Sequence, residues 1–223
     1  GKHLSERYEA LIEIWTRLSG GIYKIGFSNS VYLSEKSTAD RNYALAHFMN
    51  EKNDNKPIGF PEGTSLSETV DLYFQSCSIE VTTEILSIVA ATLANGGTNP
   101  FTGDKIFSRK TVTYVLSIML TCGMYDYSGE FAFKIGLPAK SGVAGAIMIV
   151  VPNVMGIATW SPRLDEIGNS VRGIEFCKCL GKTFGLHSFD TVSEDTYDLT
   201  SSHYQTTSVQ LFTELCMAAS QGD

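Results

Sequence analysis

The run over residues 142–152, "GVAGAIMIVVP", constrains this chain more than any other stretch. It is too short for the roughly 20 apolar residues that a helix needs to cross a bilayer, and it suits a buried strand. "MGIATWSP" follows after Pro152-Asn153, and so short a connection makes the two strands antiparallel neighbours. Upstream, "EFAFKIG" alternates, with Phe131, Phe133 and Ile135 on one face, and predicts another strand. Downstream, "NSVRGIEFCKCLGKTFGL" is a helix capped by Asn169 or Ser170, with an apolar face that can cover the sheet.

The chain up to Cys122 reads differently. "RYEALIEIWTRLSGG" sets Tyr8, Leu11, Ile12, Trp15 and Leu18 at helical spacing before Gly20-Gly21 stops it. "STADRNYALAHFMNEK" is a second helix, with Ser37 or Thr38 as N-cap and Asp40 favouring the positive end of the dipole. "NDNKPIGFPEG" is a loop. Ser65 and Glu68 have capping-box spacing at the head of "SETVDLYFQSC". "SIEVTTEILSIVAATLANGG" predicts one long apolar helix ending at Asn95-Gly96, and "NPFTGDK" a turn. Ser108 caps "RKTVTYVLSIMLTC". A helical half is thus followed by an antiparallel sheet and a covering helix.

Composition narrows the function classes. With 43% apolar and 18% charged residues the chain is globular. Its net charge of −7 would be repelled by a duplex phosphate surface, so no nucleic-acid partner and no membrane partner are expected. The stretch "GKHLSERYEALIE" is neither a signal nor a transit peptide. Five cysteines, an odd number, argue against a disulfide framework and for a reducing compartment. Cys177-Lys178-Cys179 lacks a second Cys or His pair at zinc spacing, so no metal is expected. Residues 191–208 are rich in Ser, Thr and acidic groups and read as a linker. Residues 209–223 then begin an amphipathic helix that stops in mid-pattern, which reads as a truncation.

Three stretches could carry chemistry. Lys140-Ser141-Gly142 has the pattern of the strand that faces a nucleophilic Ser-x-x-Lys in penicillin-recognising hydrolases. The ordinary reading of so short a motif is a hairpin edge, blunted by Lys and bent by Gly. No serine in the chain has a lysine three residues later; Cys179 and Lys182 have that spacing. The four histidines are scattered, and no Gly-x-Ser-x-Gly elbow occurs. "LSEKSTADRNY" crowds Glu35, Lys36, Asp40, Arg41 and Asn42 at a helix start, which a solvated N-terminus would explain. "CGMYDYSGE" would pass as a turn with packed tyrosines.

Taken together, these stretches say more. "GFSNSVYLSEKSTADRNYALAHFM", "DLYFQSCSIEVT", "AATLANGG", "LTCGMYDYSGEFAFKIGLPAKSGVAGAI", "VVPNVMG" and "PRLDEIGNSVRGIEFC" resemble, in order and spacing, the serine-dependent glutaminases. The resemblance spans about residues 20–187 and is closest to the animal kidney/liver-type enzymes. It implies an α/β fold of β-lactamase/transpeptidase type, an antiparallel sheet covered by helices. It also implies hydrolysis of L-glutamine to glutamate and ammonia through a serine acyl-enzyme, with no cofactor. Glu35 would bind the substrate α-ammonium and Asn42 would help hold its α-carboxylate. Tyr73 would line the same pocket. Tyr125 would sit by the nucleophile and transfer protons, and the backbone N–H of Val143 would serve the oxyanion hole.

The family's Ser-x-x-Lys pair and two further pocket residues have no counterpart in this sequence. The chain therefore reads as the C-terminal part of such a domain, its N-terminal part missing: residues 1–190 a partial catalytic domain, 191–208 a linker, 209–223 the start of an ankyrin-repeat region. An alternative remains open, a catalytically inactive short paralogue that binds glutamine or assembles with other subunits. Self-association as a dimer or tetramer is expected at family level, through the helix expected to hold Asp40, Phe48 and Lys52. The resemblance further implies a mitochondrial location, or otherwise a cytoplasmic one.

Overall fold

The computed structural model describes residues 3–53, 56–57, 59–61 and 63–189. The expected linker 191–208 and the helix from 209 lie outside the described residues. The chain divides into two compact units. The first takes the described residues up to Arg17 together with Gly21–Val81, and the second takes Leu18–Gly20 and the described residues from Thr82 onward.

The first unit is mostly helical. Helix α1, Leu4–Leu18, gives way at Gly20 and Gly21, whose φ of 73° and 70° suit glycine. Strand β1, Gly26–Phe27, precedes helices α2, Asn29–Ser37, and α3, Asp40–Met49. Two-residue strands β2, Lys52–Asn53, and β3, Lys56–Pro57, pair antiparallel. Helix α4, Leu66–Cys77, leads into β4, Ile79–Glu80, which returns to pair with β1. A small core of Ala39, Ala46, Val70 and Phe74 joins α3 to α4.

The second unit is built around a sheet. Helices α5, Thr83–Ala94, and α6, Arg109–Cys122, lead to a 3-10 turn at Tyr125–Tyr127 and then helix α7, Ser128–Lys134. Strands β5, Ala139–Ser141, β6, Ala146–Val151, and β7, Met155–Trp160, form an antiparallel sheet in that order. Helix α8, Val171–Phe184, follows and ends on Gly185 in the left-handed conformation.

The sheet explains the apolar run. Ile147, Ile149 and Val151 pack into one core with Phe131 of α7, Ile135 at the C-cap of α7, and Ile174, Cys177 and Leu180 of α8. Val150 and Met148, which alternate with them, pack into another with Ala90, Leu93, Val112 and Met119 of α5 and α6. A strand covered on both faces needs no polar alternation. Close approach sets one further choice: a Cβ on Gly156 of β7 would lie 2.0 Å from the Ala91 backbone nitrogen of α5.

Three helix starts carry the side-chain caps that the sequence predicts. Ser65, Ser108 and Ser170 accept from the backbone N–H of Glu68, Thr111 and Gly173, at 3.3, 3.0 and 3.1 Å. Three expectations are corrected. Ser37 and Thr38 do not cap α3; α2 runs up to them, and their hydroxyls donate to the Ser34 carbonyl of the helix they close. The long apolar helix does not begin at Ser78. Ile79–Glu80 pairs with β1, and extended Thr82 caps α5 by accepting from Ile85.

The third correction concerns "EFAFKIG", which is helical. Phe131 and Ile135, four residues apart, share the buried face at 2% and 1% exposure, while Phe133 is 82% exposed. Three apolar residues at every second position mimic a strand, but the four-residue spacing of Phe131 and Ile135 also fits one helical face, and the core they meet there decides the outcome.

Candidate active site

In the first unit, Glu35, Asn42 and Tyr73 stand on α2, α3 and α4, helices that pack on one another through α4. Glu35 and Asn42 are half-buried and Tyr73 is exposed. A polar clasp ties the α2 bearing Glu35 to the α4 bearing Tyr73. Lys36 Nζ donates to Asp71 Oδ1 at 2.6 Å and to Tyr32 Oη at 3.1 Å, and Tyr32 donates to the same carboxylate oxygen at 2.7 Å. Burial pushes the Asp71 carboxyl up, but the hydrogen bonds from Lys36 and Tyr32 outweigh it and hold it below the usual range. The same hydrogen bond from Lys36 to Asp71 raises the Lys36 ammonium well above its ordinary value. The i, i+4 spacing of Tyr32 and Lys36 is legible in the sequence; Asp71, 35 residues on, is not.

The second unit holds Tyr125 and Val143. Helix α6 ends at Gly123, where a Cβ would fall 1.7 Å from the Ala139 carbonyl oxygen of β5. Only glycine permits that approach, and Ser141 N–H donates to Gly123 O at 3.0 Å across it. The chain turns at Tyr125, which has φ of 54° and is 40% exposed. Lys140 Nζ stands 5.0 Å from the centre of its ring and donates to the Ser141 carbonyl. Strand alternation turns Lys140 outward and buries Ser141, whose hydroxyl finds no partner among the described residues.

The loop after β5 is a tight hairpin. Gly142 N–H donates to Ala146 O and Gly145 N–H to Gly142 O, both at 2.9 Å, and Trp160 Nε1 donates to Ala144 O at 2.8 Å. Val143 stands at its tip, 68% exposed. Its backbone N–H makes no hydrogen bond to the described residues, the arrangement an oxyanion donor needs before substrate arrives.

Two buried polar side chains beside Tyr125 carry no site signal in the sequence. Ser128 accepts from Met124 N–H at 3.0 Å and donates to Tyr125 O at 2.6 Å. Asn169, fully buried, donates through Nδ2 to Met124 O at 3.2 Å. Ser128 reads as a turn residue and Asn169 as a helix cap, so nothing in the sequence sets them apart. Cys179 and Lys182, which have the spacing of a nucleophile and its lysine, lie on α8. Among the described residues no group of three or more His, Cys, Asp or Glu is placed to hold a metal ion, and no helix is long and apolar enough to cross a membrane.

The family model "Glutaminase" matches residues 1–189. The chain belongs to the glutaminase family. It is 48% identical over 188 residues to "Glutaminase liver isoform, mitochondrial" of Mus musculus, covering 84% of this chain and 30% of the relative. It is 45% identical over 196 residues to "Glutaminase" of Microcystis aeruginosa, covering 87% of this chain and 55% of that one. The crystal structure of Mglu in its glutamate form superposes with a TM-score of 0.73 at 35% identity, covering 87% of this chain and 42% of Mglu. The fold of the glutaminase domain here is therefore the β-lactamase-like α/β arrangement, with β5 as its Lys-Ser-Gly strand. The chain spans between about a third and about half the length of these curated relatives.

Proposed function

We propose that this chain is part of an enzyme that hydrolyses L-glutamine to glutamate and ammonia. The observation that carries the reading is the pairing of Tyr125 with Lys140 under a hairpin whose Val143 N–H is unengaged. An amide carbonyl that becomes tetrahedral needs such a preorganised donor, and a phenol beside an ammonium is suited to relay a proton. In the first unit, Glu35 offers a carboxylate for the substrate α-ammonium, Asn42 a neutral amide for its α-carboxylate, and Tyr73 an aromatic wall.

In this reading the acyl-enzyme forms on the serine of a Ser-x-x-Lys pair. No such pair occurs within these 223 residues, so it comes from sequence outside them. The name of the mouse relative is the support for a mitochondrial location, and family likeness the support for self-association and for an ankyrin-repeat region from residue 209. An inactive glutamine-binding paralogue is the competing outcome.

The test is steady-state hydrolysis of L-glutamine by a longer chain that holds these residues and a Ser-x-x-Lys pair. Glu35→Gln keeps the side-chain shape and removes the charge that pairs with the ammonium. Losing a charged hydrogen bond costs about 1.5–3 kcal/mol, so kcat/KM should fall roughly 10- to 150-fold. Most of that fall should appear in KM, because the ammonium is bound before and during reaction alike. An unchanged KM in Glu35→Gln would remove Glu35 from the site.

A further inference from the structure

Tyr125 adopts φ of 54°, a region that side-chain-bearing residues populate sparsely. A turn that merely needed this backbone would be served at less strain by glycine or asparagine. Such strain persists only where the surroundings over-determine it. Here they do so on both sides of the Met124–Tyr125 peptide.

Ser128 works from the C-terminal side. Its single hydroxyl proton is committed to Tyr125 O, and its oxygen accepts from Met124 N–H. The backbone N–H of Ser128 bonds to Tyr125 O as well. Asn169 works from the other side, with Nδ2 on Met124 O. Asn169 is itself held in place. Asp165 Oδ1 accepts from the N–H of Ile167, Gly168 and Asn169 at 3.0, 2.9 and 2.9 Å, and Asp165 N–H donates to Asn169 O at 2.8 Å. Gly168 in that loop lies beside the Tyr125 ring: a Cβ there would meet it at 3.7 Å. The ring thus has both Gly168 and the Lys140 ammonium as neighbours.

We infer that Ser128 and Asn169 are positioning residues that hold Tyr125 in its strained, left-handed conformation, and so set the phenol against Lys140. The inference rests on the reading of Tyr125 as the proton-transfer group. Neither side chain touches substrate. Without them the backbone relaxes toward negative φ and the ring leaves the ammonium.

The test uses the longer chain with its Ser-x-x-Lys pair and L-glutamine as substrate. A misplacement of about 1 Å in a reacting group costs on the order of a hundredfold, so Ser128→Ala should lower kcat by about ten- to a hundredfold. KM should stay within about twofold, since the loss falls on the chemical step. Asn169→Asp keeps the side-chain volume and removes the donor, and carries the same comparison if Ser128→Ala does not fold. Each change is then combined with Tyr125→Phe, which already lacks the hydroxyl. If the two residues act through that hydroxyl, neither adds to the loss in the Tyr125→Phe background. Losses that multiply there, or wild-type kcat in Ser128→Ala and Asn169→Asp, overturn the inference while leaving the role of Tyr125 standing. A Tyr125→Phe enzyme as fast as the wild type overturns that role, and the inference with it.

Discussion

Phe131 and Phe133 make a pair of probes with opposite expectations. Both lie in "EFAFKIG", and a strand would put them on one face; helix α7 separates them. Phe131 is 2% exposed, among Met124, Ile135, Leu137 and the β6 isoleucines, and its ring stands edge-on to Tyr127 at 6.3 Å between centroids. A phenylalanine buries roughly 150–250 Å². At about 25 cal/mol per Å² that is roughly 4–6 kcal/mol of apolar transfer, an upper estimate. Truncation to alanine keeps part of that area and leaves a cavity, and core Phe→Ala changes cost about 3–5 kcal/mol. Phe133, 82% exposed, should behave otherwise. Alanine is the better helix former by a few tenths of a kcal/mol, so Phe133→Ala should be neutral or slightly stabilising. Urea unfolding followed by far-UV circular dichroism gives both values from one protein, and the slope m checks that the unfolded state is common to them. Losses for the two variants within about 1 kcal/mol of each other would refute the helical placement of this segment, since the expected gap is about 3 kcal/mol or more.

Three further outcomes follow from single positions. Gly123→Ala should destabilise the protein by about 3 kcal/mol or more, because its Cβ meets the fixed Ala139 carbonyl at 1.7 Å and breaks the Ser141–Gly123 hydrogen bond; thermal melts read this directly. Burial pushes the Cys177 thiol up to about 12, from 9.0. Its folded pKa is the higher one, so its stabilising effect is complete below pH 9 and is lost as pH rises toward 12, by up to about 4 kcal/mol. The alkaline fall in stability should be shallower in Cys177→Ala, and alkylation at pH 8 should label Cys122 and Cys179 but leave Cys177 until unfolding. The Asp71 carboxyl is held low, so its contribution is present above its ordinary pKa and lost as pH falls through the folded value. Acid unfolding below about pH 4 should therefore be less steep in Asp71→Asn.

The sequence makes some of this plain for physical reasons. Ser65, Ser108 and Ser170 stand where a hydroxyl must meet the free N–H groups of a helix start, so helix starts are local facts. The strands β6 and β7 and their turn at Asn153 are local too, fixed by an apolar run and a three-residue break. The helix α7 is not local. Its period-two pattern is overridden because Phe131 and Ile135 pack into the core with α8 and β6. Ser37 and Thr38 are as good a cap as any in the sequence, and only the arrival of α2 makes them a terminus instead. The candidate residues Glu35, Asn42, Tyr73, Tyr125 and Val143 are legible through family likeness alone, since none stands in a short motif that would single it out. Ser128, Asn169 and Asp71 act over long separations or as commonplace turn residues, and folding is what gives them partners.

Ammonia release from L-glutamine tests the central claim most directly, measured for the 223-residue chain and for a longer chain that adds a Ser-x-x-Lys pair. The longer chain should turn over, and the 223-residue chain should not exceed its own Tyr125→Phe control, a loss on the order of a millionfold for a serine hydrolase without its serine. Turnover by the 223-residue chain above that control, or none by the longer chain, would contradict the account.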